Sequence, residues 1–209
     1  MFFEPRSRDK SLLTYDPFKA LIAPRPIGWI SSMDRSGMVN LAPYSFFNAF
    51  SGAPPLIGFC SEGPKDSYTF AKDSGEFVWN MATYDLRFQM SETSAPLERG
   101  QSEFAHTGLT MVPSKLVRAP RVKESPAHLE CKVTEIFQLR DMDGNETPRY
   151  LVMGQVIGIH IDDSFIEDGI VQVPKMKPIA RCGYQDYSVL DTVFSIKRPD
   201  GAGNREGGG

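Results

Sequence analysis

Residues 24–32 read PRPIGWISS, and the fold class turns on that stretch. Ile27, Trp29 and Ser31 alternate with Gly28, Ile30 and Ser32, a two-residue period that predicts a strand. The run ends in Asp34-Arg35-Ser36-Gly37, and residues 39–44 return from that turn, so the pair predicts a β-hairpin with a short Gly-containing loop. Further strands are predicted at 56–61 (LIGFCS), 77–81, 129–139 and 150–161, the last two joined by Asp141-Met142-Asp143-Gly144-Asn145.

Helix signals are few and short. Residues 67–73 have Asp66 as N-cap and Gly75 past their end; 86–92 follow Thr83 and Asp85; 102–106 stop at Gly108. Many strands with few helices between them indicate an all-β barrel and exclude the helix-rich alternation of a dinucleotide-binding domain. Sixteen Pro and eighteen Gly in 209 residues agree with many turns. One domain over 1–198 is expected, with a Gly-rich disordered tail at 199–209.

A net charge of −3 without a Lys/Arg run argues against nucleic acid and anionic membrane as partners. No stretch reaches 18 apolar residues, and MFFEPRSRDK lacks the apolar core of a signal peptide, so a cytoplasmic protein is expected. Cys60, Cys131 and Cys182 are odd in number and far apart, as inert thiols in a reducing compartment would be. His106, His128 and His160 stand alone, without a second ligand at chelating spacing, and read as structural. The 141–145 segment faintly resembles a calcium loop, but its Gly comes two positions early and Val152 stands where the closing Glu belongs, so it reads as a hairpin turn.

Three segments carry the candidate chemistry. Ser31 and Ser32 end the first strand with two hydroxyls. In NLAPYSFFNAF (40–50), Ala42 and Pro43 let backbone approach a flat ligand, Tyr44, Phe46, Phe47 and Phe50 supply rings, and Asn40 and Ser45 are the polar exceptions. In GPKDSYTFAKDSG (63–75) a helix start beside Lys65, Asp66 and Ser67 suits a phosphate. Taken singly, each segment is as readily a polar strand end, a core aromatic cluster or a capped surface helix.

Together PRPIGWISS, NLAPYSFFN and KDS resemble, in order and spacing, the FMN-binding core of the flavin reductase-like family with the split-barrel fold. EFVWNMATYDL (76–86) and IARCGYQDY (179–187) are similar to that family's next strand and its C-terminal turn. The resemblance implies a Greek-key split β-barrel, a homodimer, FMN as cofactor and NAD(P)H as co-substrate, with reduced flavin passed to an oxygenase or another acceptor. It places Trp29, Ser31 and Ser32 by the cofactor, the serines at its ribityl chain and phosphate. Asn40, Ala42, Pro43, Tyr44 and Ser45 fall at the ring edge and ribityl side, Cys60 and Ser61 flank the cofactor, and Lys65, Asp66 and Ser67 surround the phosphate. No protein acid, base or nucleophile is demanded, because the flavin carries the redox chemistry.

Two departures stand out. Ser67 replaces the family's usual Thr, keeping the hydroxyl, and Arg149-Tyr150 stand where some reductases carry a nicotinamide-associated His. The alternatives are an FMN-binding electron carrier reduced by a partner protein, without NAD(P)H turnover of its own, and a barrel that binds something other than flavin.

Overall fold

A computed structural model of the chain describes residues 1–98, 101–197 and 199. Its framework is one antiparallel sheet of seven strands. They are β1 (Gly28–Met33), β2 (Val39–Tyr44), β3 (Phe47–Gly52), β4 (Pro55–Glu62), β5 (Glu76–Asn80), β6 (Ala127–Arg140) and β7 (Glu146–Ile161). The order across the sheet is β2-β1-β5-β6-β7-β4-β3. The β3–β4 hairpin thus docks on β7, across the sheet from the β1–β2 hairpin that precedes it in sequence, a Greek-key connection. The two edge strands, β2 and β3, are consecutive in sequence with only Ser45 and Phe46 between them. The sheet therefore curls to bring its two edges towards that link, and the Cys60 amide of β4 donates to the Phe46 carbonyl (2.8 Å), carrying the β3–β4 ladder one step past β3.

Both expected hairpins form, with Ser31 opposite Leu41 and Ser32 opposite Asn40 in the first. In the second, the Asp141 carboxylate accepts from the amides of Asp143 (3.0 Å) and Asn145 (2.9 Å), closing the turn. The strand β3 was not expected. Its stretch, FNAFSG, is mostly exposed and alternates weakly, so it reads as part of an aromatic loop. Of the four rings there, Tyr44 is buried and Phe47 packs against the core, whereas Phe46 and Phe50 are exposed.

The alternation in β1 is not apolar against polar because both faces of this strand are covered. Ile30 points into the barrel with Phe59, Phe77 and Val152. Trp29 points outward, under α2 (Arg87–Glu92) and α3 (Glu103–Thr107), whose Met90 and Phe104 cover it. Inside the barrel Phe59 meets Phe77 edge-on, with centroids 5.3 Å apart. Phe77 also lies where Gly154 has no side chain: a Cβ there would come within 2.5 Å of the ring.

One longer helix, α1 (Asp66–Ser74), plugs an end of the barrel with Tyr68 and Ala71. Asp66 is its first residue and not its cap. Lys65 holds the cap position in extended conformation and makes no side-chain bond to the first turn. Likewise neither Thr83 nor Asp85 caps α2, whose N-cap is Leu86. Gly75 ends α1 in the left-handed region (φ 72°), its amide donating to the Ala71 carbonyl. Gly75→Ala puts a Cβ in that conformation and is expected to cost about 1 kcal/mol, read as a lowered urea midpoint with unchanged m.

The expected tail at 199–209 falls, Pro199 aside, outside the described residues. Among the described residues no helix is long and apolar enough to cross a membrane.

Candidate functional site

Strand β2 and the start of α1 are 20 or more residues apart in sequence, and one hydrogen bond joins them. The Asn40 side-chain amide donates to the Ser67 hydroxyl at 2.6 Å, both groups buried. Around this bond opens a cleft of about 320 Å³. Asn40, Ala42, Pro43 and Tyr44 form one wall, and Lys65, Asp66 and Ser67 the second. Two of the three segments singled out in the sequence thus meet at one place.

The first segment does not reach the cleft wall. Ser31 is fully buried and its hydroxyl donates to the Pro120 carbonyl (2.5 Å) while accepting from the Asn80 amide (3.1 Å). Ser32 is equally buried, and its hydroxyl has no partner among the described residues. Trp29 is sealed from solvent, but its indole N–H donates to the Thr93 hydroxyl (3.0 Å), so it braces the wall from behind. Ser45 lies in an adjoining cavity. Cys60 is half-buried away from the cleft wall, and Ser61 is buried with its hydroxyl on the Gly63 carbonyl (3.0 Å).

The third wall went unread in the sequence. It is the segment Thr93, Ser94, Ala95, Pro96 and Leu97, after α2, together with Glu103 at the start of α3. The signal available was SETSAP, two hydroxyl residues and a small one ahead of a proline, a turn-forming composition without direction.

Electrostatically the cleft is mixed. Lys65 shares it with two carboxylates, Asp66 on the same wall and Glu103 on the third. Burial raises the Glu103 carboxyl above its ordinary range, partly offset by backbone N–H groups that include Leu41, whose amide donates to it at 3.2 Å. Burial also pushes the Tyr44 phenol up, against the hydroxyls of Ser67 and Ser61 beside it. The Cys60 thiol is raised by burial, opposed by the Arg149 guanidinium.

The donor set fits a phosphorylated ring system. The first-turn amides of α1 have no side-chain cap and so remain available to an anion, with Lys65 alongside. Ala42 and Pro43 present little side-chain bulk, as a flat ring requires. Arg149 pairs with Glu62 (3.0 Å), both side chains exposed.

Residues 21–172 match the family model described as flavin reductase like domain. An uncharacterised protein of Halalkalibacterium halodurans is 33% identical over 190 residues, covering 88% of this chain and 90% of that one. Among solved structures, component B of nitrilotriacetate monooxygenase from Bacillus cereus superposes with a TM-score of 0.84 at 28% identity, over 94% of this chain and 98% of that one. A flavin reductase-type protein with a split barrel domain from Shewanella frigidimarina superposes with a TM-score of 0.78 at 25% identity, over 87% and 89% of the two chains.

Proposed function

Because this chain belongs to the flavin reductase-like family of split-barrel proteins, we propose that its cleft holds FMN and that it works as an NAD(P)H:flavin oxidoreductase. The reading rests on one observation above all: the Asn40–Ser67 bond, which ties the ring-binding segment to the phosphate-binding one at a single cleft.

In this reading Lys65, the α1 amides and the Ser67 hydroxyl hold the phosphate, and Asp66 stays at the first turn, where the helix dipole favours its charge. Ala42 and Pro43 support the ring, and Asn40 and Tyr44 orient its polar edge. Trp29 acts through Thr93, keeping the third wall in place, and Ser31 ties β1 to Pro120 through its hydroxyl. Bound FMN supplies a two-electron acceptor for hydride from NADH or NADPH. The Bacillus cereus neighbour is a monooxygenase component, which supports an oxygenase as the consumer of reduced flavin here. A cytoplasmic homodimer completes the reading, with Phe46, Phe50 and Ile159 as exposed apolar surface for a partner copy.

The test is spectroscopic. Protein incubated with FMN and desalted should keep flavin absorbance and bleach on anaerobic addition of NADH or NADPH. No retained flavin would overturn the assignment. Retained flavin that neither nicotinamide bleaches would favour the electron-carrier alternative, to which the Arg149–Glu62 pair at the expected His position already lends support. Lys65→Ala removes a charge-assisted contact worth roughly 1.5–3 kcal/mol and should raise the FMN dissociation constant about 10-fold or more. Fluorescence titration reads it directly, and an unchanged constant removes Lys65 from the site.

A further inference from the structure

Beside the cleft, and sharing Pro43 and Ser94 with it, lies a second cavity of about 270 Å³. It forms where the N-terminal segment meets the turn after the strand Ile179–Arg181. Three cations line it, Lys19, Arg25 and Arg181, and among the described residues no carboxylate does. The contrast with the cleft is sharp, since there Lys65 is opposed by Asp66 and Glu103.

The cations are held in place by the fold. Arg25 is 8% exposed, and its guanidinium donates to the carbonyls of Lys19, Ile22 and Cys182, the last at 2.9 Å. Its Nε is buried and has no partner among the described residues. Lys19 and Arg25 both lie over the exposed Phe46 ring, at 6.0 and 5.9 Å. Arg181 lies over Tyr187 at 4.6 Å and donates to the Tyr184 carbonyl. Among the described residues none of the three makes an ion pair. Close backbone packing fixes the geometry: a Cβ on Gly183 would come within 2.4 Å of the Ala20 Cβ.

A guanidinium taken out of water without a counter-charge is costly, and several like charges around one cavity raise its affinity for an anion. The geometry points to an anion subsite for the second redox substrate: a carboxylate or phosphate group seats among Lys19, Arg25 and Arg181 while the rest of that molecule reaches the cleft past Pro43 and Ser94. This rests on the flavin reading for the cleft, but the cation cluster stands without it. Two sources share the chemistry, the phosphates of the nicotinamide reductant and the carboxylate of an organic-acid acceptor.

Calorimetric titration of the FMN-loaded protein at low salt, with pyrophosphate and separately with benzoate, tests the subsite. Saturable one-to-one binding of at least one probe is expected, weakened about 10-fold or more by Arg181→Gln and by Lys19→Gln. The second variant keeps the test sound if the first fails to fold. Pyrophosphate competing with NADPH in steady-state oxidation assigns the subsite to the reductant; benzoate binding without such competition assigns it to an organic acid. If neither probe binds, or both variants bind as the parent does, the proposal is overturned. Repeating the titrations on flavin-free protein separates the two readings. Probe binding by a protein that retains no FMN sinks the flavin assignment alone, and FMN retention without probe binding sinks the subsite alone.

Discussion

Replacing Glu130 by Ala is expected to lower the unfolding free energy by about 3–5 kcal/mol, the cost of deleting one partner from a buried charged network. Glu130 is completely buried in β6. Its carboxylate accepts from the amides of Lys115 (2.8 Å), Leu116 (2.6 Å) and Val117 (3.2 Å), and from the His160 ring on β7. Burial opposes its charge, yet these donors outweigh the penalty and hold the carboxyl below its ordinary range. Truncation leaves three amides without an acceptor and opens a void in the sheet's packing. For a chain of this length the melting temperature should fall on the order of 10 °C. Glu130→Gln, which keeps the volume and one acceptor, should lie between the two. An Ala variant within about 1 kcal/mol of the parent in urea unfolding would refute the account.

The consequence reaches the site because Glu130 is one of several buried groups that stitch down the segment 115–122, the loop before β6. Glu76 accepts from the Arg118 amide (2.5 Å) and pairs with Lys132 (2.6 Å). Ser31 donates to Pro120, and Asn80 accepts from the Val122 amide (2.8 Å). The loop is thereby fastened to β1, β5 and β6, and β1 carries both Trp29, which braces Thr93, and Ser32, which pairs with Asn40. Loosening it removes support from two walls of the cleft at once.

These partners explain which parts of the molecule were legible in its sequence. The two hairpins announced themselves because DRSG and DMDGN are local turn chemistry, settled within a few residues. That Asn40, Lys65 and Ser67 meet at one cleft was legible because a small-residue strand and a helix start follow one another in a recognisable order. The bond that engages Ser31 was hidden for a physical reason. A hydroxyl at a strand end looks free to bind a ligand, but its acceptor, Pro120, lies 89 residues away, and sequence pattern contains nothing that pairs them. Strand β3 was hidden because an edge strand with exposed rings needs no alternation. The third wall was hidden because 93–97 owes its position to a tertiary bond, Trp29 to Thr93, 64 residues apart in the chain.

Acid should reveal the second large effect, centred on His128. This side chain is 5% exposed, and its Nε2 lies 2.8 Å from the Val122 carbonyl. A carbonyl only accepts, so Nε2 carries the proton and Nδ1 is the bare nitrogen, buried and without a partner. Protonating Nδ1 would bury a charge and an unmatched N–H together. Burial accordingly lowers the pKa to about 4, with the Val122 carbonyl and Glu130 opposing the shift and Arg121 and His160 adding to it. The unfolded chain takes up its proton near pH 6.5 and the folded one only near 4, so between those values the unfolded state binds more protons. Stability from this group is therefore intact above pH 6.5 and is lost as the pH falls to 4, by about 3 kcal/mol in all. The raised carboxyl of Glu103 acts in the opposite sense over part of this range, and the lowered carboxyl of Glu130 adds its own loss only below its unfolded value of 4.5. His128→Gln isolates the contribution of the histidine, since the amide can still donate to Val122 but does not titrate. The parent should lose stability faster than the variant between pH 6.5 and 4, their urea-derived free energies converging by about 3 kcal/mol. Parallel curves across that interval would mean that His128 titrates alike in both states, and the buried, one-sided tautomer would have to be abandoned.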